Sequence, residues 1–489
     1  MTERLDPARP VAADPTPASP ATERPTPASP VTERPGPARS AARRPAPAPA
    51  ADDAPICLTL PTNRACSATL AATAAEAAHA ARAFGTEVRL LVLDSAPEAV
   101  RAEHARVLAA LPAAPGVTVH HLDEARQRAL LRETIRRTGL AGPERLLGLL
   151  LPDAVSYGAC TDRAFLLAAA LGCRSVHRRD SDSRYQTLDG QPVFPVHHEV
   201  ASLGRRATEA SAAVTRVRLD PAHAHRPVSL AGASFIGAPS VDLAEMERLD
   251  EGVYHEVVGL WAPGGLPGER KRALVAESFR GAGTEPFTGD DTTLTLVDPM
   301  RVDMCNIAFD RSVYERVPLP PATDTIGSDY FLLHLVHDAT LPGVLHNRHI
   351  ENFHTPQRRT DAGFLAYQTR FVKFLLSMLY FHAVYAALAE AGPALLDADD
   401  RLRPEAVSAL LRASTGLDRA ENHWRLDRVD TCYRKLGGRY AHFADLIADR
   451  REALLDEAQR DIEDFALLTD VWGPLMRVAR EAGFGGAEG

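Results

Sequence analysis

From Ile56 onward, short apolar runs alternate with longer stretches whose apolar residues recur at three- and four-residue steps, the pattern of strands alternating with helices. Ile56-Cys57-Leu58-Thr59-Leu60 is a strand-length run that stops at Pro61-Thr62-Asn63-Arg64, and an Ala-rich helical stretch follows to about Phe84. Val88 to Leu93 repeats the arrangement and ends on Asp94-Ser95 before a second helical pattern. Val117 to Leu122 predicts a third strand, and the Glu/Arg/Leu pattern of Asp123 to Thr138 a third helix, which Asp123 is suited to cap. Leu146 to Leu151 fits either strand or helix. Thr161 to Leu171 is helical and delivers the chain into an apolar run at Ser175, Val176 and His177. This alternation predicts an α/β fold with a parallel sheet covered on both faces. Ligands of such sheets gather beyond the carboxyl ends of the strands, where Thr62-Asn63-Arg64, Asp94 and Asp180-Ser181-Asp182 would all lie.

Downstream, Tyr185 to Leu188 and Pro192 to Val196 flank Asp189-Gly190, a turn dipeptide that predicts a hairpin. Val228 to Val241 reads as a Gly-broken strand and loop, and Leu294 to Val297 as another strand. From Asp361 to the end the periodicity is helical, with Phe364, Tyr367, Phe371, Phe374, Leu375, Met378 and Leu379 forming a stripe assigned to the core. The most apolar stretch, Phe374 to Leu388, follows Lys373, contains Ser377 and His382, and is short for a membrane span, so it reads as a buried helix. Residues 1–54 are Pro, Ala, Thr, Ser, Glu and Arg with few large apolar side chains, and TPASPATERP nearly repeats as TPASPVTERP. Such a segment has nothing to bury and is expected to form a disordered tail. The expected organisation is this tail, a sheet domain over 55–360, and a helical region over 361–489.

Composition narrows the function classes. With 55 basic and 64 acidic residues the net charge is −9, which argues against nucleic acid or an anionic membrane as the main partner. The six cysteines lack paired spacings, so neither a zinc ribbon nor a redox dithiol is indicated. No secretory signal is legible, and a cytoplasmic setting is expected. Arg-for-Lys usage and abundant Ala point to a GC-rich genome and a bacterial secondary-metabolism setting. Oligomeric state is not readable.

The chemistry centres on Asp180-Ser181-Asp182. Two carboxylates one residue apart at the mouth of a strand can both face a divalent cation, since oxygen ligands suit Mg²⁺ or Mn²⁺. Taken alone, the same triplet better fits a solvated turn, and the rest of the chain shifts the balance. Asp290-Asp291 is a rival pair that reads as a turn or lid.

Together these pieces resemble the GT-A nucleotide-sugar glycosyltransferases, over roughly Ile56 to Arg359. Pro61-Thr62-Asn63-Arg64 is similar to that family's nucleotide-wrapping loop, and Leu91-Val92-Leu93-Asp94-Ser95 to its second strand with a terminal base-facing Asp. Tyr157-Gly158 through Leu166 is placed like the helix carrying a diphosphate-facing Arg, here Arg163, upstream of the Asp-x-Asp motif. The segment Asp303 to Glu315, followed by Ile326 to Phe331, looks like the acceptor side, with Asp329 matching an acid that is the general base in inverting members. Asp329 also fits helix capping, with Ser328. The resemblance further implies a third metal ligand from a late His, here His354, with His349 competing. The implied fold is a GT-A-like, Rossmann-related mixed sheet flanked by helices. This sequence departs from the family pattern in the first loop, which lacks an aromatic, in Arg178-Arg179 before the metal motif, and in Asp162.

The implied reaction is metal-dependent transfer of a sugar from a nucleoside-diphosphate donor to a small-molecule or peptide acceptor. Asp180, Asp182 and His354 would hold Mn²⁺ or Mg²⁺ while Thr62, Asn63, Arg64 and Asp94 hold the nucleotide. Arg163, with Arg178 or Arg179, would bind the diphosphate, and Asp329 would act on the acceptor. Alternatives are a catalytically silent interaction protein on the same fold, or a nucleotidyltransferase. The latter ordinarily has a Gly-rich basic loop after its first strand, which Pro61 to Arg64 is not.

Overall fold

Strand β1 (Ile56–Thr62) is buried along nearly its whole length because it runs through the middle of a sheet with apolar side chains on both faces. It pairs in parallel with β2 (Val88–Asp94) on one side and β4 (Ser175–Arg179) on the other, and β2 pairs in parallel with β3 (Val117–Asp123). The register sets Thr62, Asp94 and Asp123 side by side at the carboxyl ends. Connecting these strands are α1 (Ser67–Phe84), α2 (Glu98–Ala110), α3 (Glu124–Thr138), α4 (Pro143–Leu150) and α5 (Tyr157–Ala170). Asp123 caps α3, accepting a hydrogen bond from the Arg126 N–H at 2.8 Å. The ambiguous run at Leu146 is helical, with Pro143 opening it.

The computed structural model describes residues 54–353 and 360–483. All of them belong to one compact unit. The expected tail over 1–54, apart from Ala54, and His354 lie outside the described residues. Beyond β4 the sheet becomes mixed. The further strands are β5 (Arg216–Val217), β6 (Leu230–Gly232), β7 (Thr292–Thr295), β8 (Asn306–Asp310) and β9 (Gly343–His346). Among the described residues the largest sheet has nine strands in the order β3-β2-β1-β4-β8-β6-β9-β7-β5. β8 enters antiparallel to both β4 and β6. The predicted hairpin joins Thr187–Leu188 to Gln191–Pro192, with Asp189 and Gly190 both at positive φ, as a type I′ turn requires.

The helical region consists of α8 (Asp361–Ala391), α9 (Pro404–Ser414), α10 (Ala420–Leu436), α11 (Gly438–Asp449) and α12 (Arg451–Ala482), preceded by α6 (Val196–Ser202) and α7 (Phe331–Asp338) within the sheet portion. Residue 361 marks a change of secondary structure and not a gap in packing. Phe331 of α7 meets Phe465 of α12 edge-to-face at 4.8 Å, and the fully buried Trp472 donates its indole N–H to the Tyr314 carbonyl at 2.9 Å. One core thus spans Phe165, Phe309, Leu375 and Trp472. By length and composition α8 is apolar enough to cross a membrane, but 67% of its most apolar window is buried inside the protein, as for a core helix.

Strand β4 carries two opposite jobs, because alternate side chains leave opposite faces of a sheet. His177 and Arg179 point toward α1 and α6, where Arg179 grips Glu76 at 2.8 and 3.0 Å and Glu199 at 2.9 Å. Glu199 also binds His177 Nδ1 at 2.7 Å, and Glu76 accepts the Val196 N–H at 2.9 Å. Arg178 points the other way, into the cavity described below.

Several imidazoles are built into this fold in neutral form. Burial pushes His197, His334 and His382 down to about 4, and holds His346, whose ring nitrogens both lack hydrogen-bond partners, well below the usual imidazole range. A His whose folded pKa is depressed contributes stability that is complete above its unfolded value near 6.5 and is lost as pH falls toward the folded value. The melting temperature should therefore fall steadily between about pH 6.5 and 4. His346→Leu should flatten part of that slope, and an unchanged slope across this window in the wild type would contradict the assignment.

Candidate active site

At the carboxyl ends of β1 and β4 the chain opens into a cavity of about 500 Å³. Its first wall is the turn after β1. The Thr62 hydroxyl donates to the Arg64 carbonyl at 2.9 Å and accepts from the Arg64 N–H at 3.3 Å, which folds the loop back on itself. Arg64 then reaches across 118 positions to Asp182 at 2.8 Å, so that the first loop and the Asp-Ser-Asp turn meet. Thr62, Asn63 and Arg64 all line the cavity, as do Asp180 and Asp182.

Arg178 organises the centre. Its Nη1 donates to Asp329 at 2.6 Å and its Nη2 lies 3.2 Å from Asp180, while its Nε is buried without a hydrogen-bond partner. One guanidinium therefore ties the Asp-Ser-Asp turn to an acid roughly 150 positions later. Burial pushes the Asp180 carboxyl up to about 6, against the pull of Arg178, and the neighbouring Asp182, Asp303 and Asp329 add to the rise. Asp329 sits in a single 3-10 turn, Ser328–Tyr330, that leads into α7, and no side chain caps that turn. The capping reading of Ser328 and Asp329 is thus not what the structure forms: Ser328 Oγ is buried without a partner and Asp329 turns to Arg178.

Arg163 of α5 also lines the cavity. Its Nε donates to Gln127 at 2.9 Å and its Nη1 to the Leu150 carbonyl at 2.6 Å, and it makes no salt bridge among the described residues. Burial lowers its pKa, as expected of a cation removed from water without an anion in contact.

Two sequence-based roles do not fit this geometry. Asp94 stands at the end of β2 as expected, but it is fully buried and turned away from the cavity, whose wall its neighbours Leu93 and Ser95 reach. Its carboxylate accepts from His104 and His121, each at 2.8 Å, and from the Ala96 N–H at 3.0 Å. Those bonds outweigh burial and hold its pKa below the usual range. Its oxygens clamp the β2 end, buried away from the cavity where a base would sit. Arg179 likewise faces the opposite side of the sheet, held by Glu76 and Glu199, so only Arg178 of the pair is at the cavity.

The remaining candidates are also accounted for. His349 Nδ1 accepts the Ser234 N–H at 3.1 Å. Asp290 binds His198 and Arg348, and Asp291 pairs with Arg216. Among the described residues no three His, Cys, Asp or Glu side chains form a ready metal cage. Asp180 and Asp182 nevertheless offer oxygen donors only, the set that Mg²⁺ or Mn²⁺ takes when phosphate oxygens and water complete its shell.

Sequence reasoning gave no role to Asp303, which accepts the Cys305 N–H at 2.9 Å and the Tyr330 hydroxyl. The stripe on α8 belongs to the core as its spacing predicts, and one side of it borders the cavity as well. Phe371, Leu375 and Leu379 are core alone, while Tyr367, Phe374 and Met378, with Tyr385 further along, also line the cavity. Their spacing places them on one helix face, and nothing in the spacing tells a cavity from a core.

A family profile described as "Family of unknown function (DUF6271)" matches residues 54–488. No curated protein matches the chain. Among solved structures, the mannosyltransferase PcManGT from Pyrobaculum calidifontis, determined in complex with GDP-Man and Mn²⁺, aligns over 85% of this chain and 86% of its own. The identity is 13% and the TM-score 0.28, too low to superpose one site on the other.

Proposed function

The chain belongs to the DUF6271 family, whose function is unknown, and from its cavity we propose that it is a GT-A-like glycosyltransferase using a nucleoside-diphosphate sugar. The observation that carries this reading is the convergence, through Arg178, of Asp180 at the end of β4 with Asp329, beside Asp182 and the Thr62–Arg64 loop. Two oxygen-donor carboxylates, an unpaired buried arginine and a separate acid around one cavity match the needs of diphosphate departure with attack by an acceptor hydroxyl.

Asp180 and Asp182 would hold a divalent cation, which when bound would neutralise charge building on the departing diphosphate. Arg163 supplies a counter-charge that no carboxylate among the described residues pairs with, and its Nη2 offers charge-assisted hydrogen bonds to phosphate. Arg178 fixes the acid on the acceptor side relative to the carboxylate on the donor side. Asp329 orders the acceptor hydroxyl and, where the anomeric configuration inverts, takes its proton. Thr62, Asn63 and Arg64 contact the nucleotide.

Thermal-shift titration with nucleoside diphosphates tests the reading. Saturation at a hundredfold excess over Kd should stabilise the fold by about 2.7 kcal/mol, and only when Mn²⁺ or Mg²⁺ is present. A protein that shows no metal-dependent shift with any nucleotide would be a silent scaffold. Arg163→Ala should weaken the metal-dependent nucleotide response by about 10- to 100-fold in Kd, the worth of one charge-assisted hydrogen bond. An unchanged Kd would remove Arg163 from the phosphate site.

A further inference from the structure

Part of the cavity lining is built from rings. Trp261, Phe279, Phe374 and Tyr385 face the cavity, with Met378 beside them and His334 stacked on Tyr385 at 3.7 Å. The four aromatic residues are only half-buried although they sit among core residues, because the cavity leaves their ring faces uncovered. Trp261 and Phe279 lie 6.4 Å from Phe374, tilted and edge-to-face respectively. The indole N–H of Trp261 is already satisfied by Ser278 Oγ at 2.9 Å, so what that ring offers a ligand is carbon. Phe279 is held at φ +65°, a backbone region that bulky residues adopt at a cost in strain. That cost sets a ring against the cavity where a glycine would sit more easily.

We propose that this aromatic lining is the acceptor subsite and takes a flat aromatic small molecule bearing a hydroxyl. The proposal rests on the transferase reading above for the word acceptor, while the ligand class rests on the lining alone. A saturated ligand would gain only the area it buries, whereas an aromatic one also meets complementary ring edges and faces, and the polarisable sulfur of Met378. Polar groups share the cavity with these rings. Tyr330 and Asp303, joined by a hydrogen bond, and Asp329 border the same cavity, so a hydroxyl on the ring system has polar partners there, among them the acid that the transferase reading assigns to it. The cavity volume of about 500 Å³ has to hold donor and acceptor parts together, which favours a small acceptor over a polymer.

Calorimetric titration of the full chain with 2-naphthol and with its saturated analogue decahydro-2-naphthol separates ring recognition from plain apolarity. Saturable binding of 2-naphthol, about tenfold tighter than the saturated analogue, is expected, and chelating agents should not change it. Phe374→Ala and, on a different segment, Trp261→Leu should each weaken 2-naphthol by about tenfold, while Phe374→Tyr keeps it. Equal or tighter binding of the saturated analogue overturns the proposal. So does wild-type affinity in both weakened variants. Naphthol binding without any nucleotide response would keep the aromatic site and sink the transferase reading. A metal-dependent nucleotide response without naphthol binding would do the reverse.

Discussion

Asp180→Ala and Asp182→Ala should each lower kcat/KM for sugar transfer by about a thousandfold, the scale on which removal of a major charge-stabilising group is felt. The two carboxylates are the oxygen donors nearest the end of β4, and no third carboxylate or imidazole among the described residues completes a cage that could compensate. The variants should remain folded. Arg178 keeps its shorter bond to Asp329 when Asp180 is gone. The loss should therefore appear in the metal-dependent nucleotide response and in turnover, with the melting temperature of the free protein little changed. Transfer at the wild-type rate in either variant would show that the carboxylate pair belongs to a structural turn.

Arg179→Met should be the most damaging substitution to stability, destabilising the fold by about 3–5 kcal/mol. Arg179 is nearly completely buried and is the cation between Glu76 and Glu199, two carboxylates that are themselves fully buried. Removing it leaves the two carboxylates facing each other on one side of the sheet, with His177, Tyr185 and the Val196 N–H as their remaining hydrogen-bond partners among the described residues. Urea denaturation of the variant beside wild type measures the effect. The neighbouring Arg178→Met provides the contrast, because it removes a cation from the cavity wall: turnover should fall and stability should fall by less. Equal destabilisation by the two would contradict the division of β4 into a structural and a functional face.

That division shows what the sequence could and could not convey. Short apolar runs and turn chemistry located β1, β2, β3 and the Asp189-Gly190 hairpin, because those signals are local. Asp123 behaves as the cap it resembles for the same reason. The placement of Asp180 beside Asp329 was legible only through resemblance to spaced motifs, since no local pattern reports a contact across 151 positions. Adjacent arginines were read as interchangeable, and the structure separates them, because which face of β4 meets α1 and α6 is decided by tertiary packing. Asp94 misled in a related way. A strand-end carboxylate is available to a ligand only if nothing else claims it, and His104 and His121 come from elements whose approach the sequence does not announce. The α8 stripe shows the converse, a hydrophobic face that helical spacing correctly marks as inward without revealing that part of the interior is empty.

The most direct measurement is a mass-spectrometric screen of nucleotide-sugar hydrolysis, since slow donor cleavage needs no knowledge of the acceptor. The full chain with Mn²⁺ or Mg²⁺ should release nucleoside diphosphate from at least one donor, and chelation or Asp180→Ala should stop the release. Persistence of every donor, or cleavage that continues undiminished after both treatments, would contradict the assignment of Asp180 and Asp182 to the donor's diphosphate.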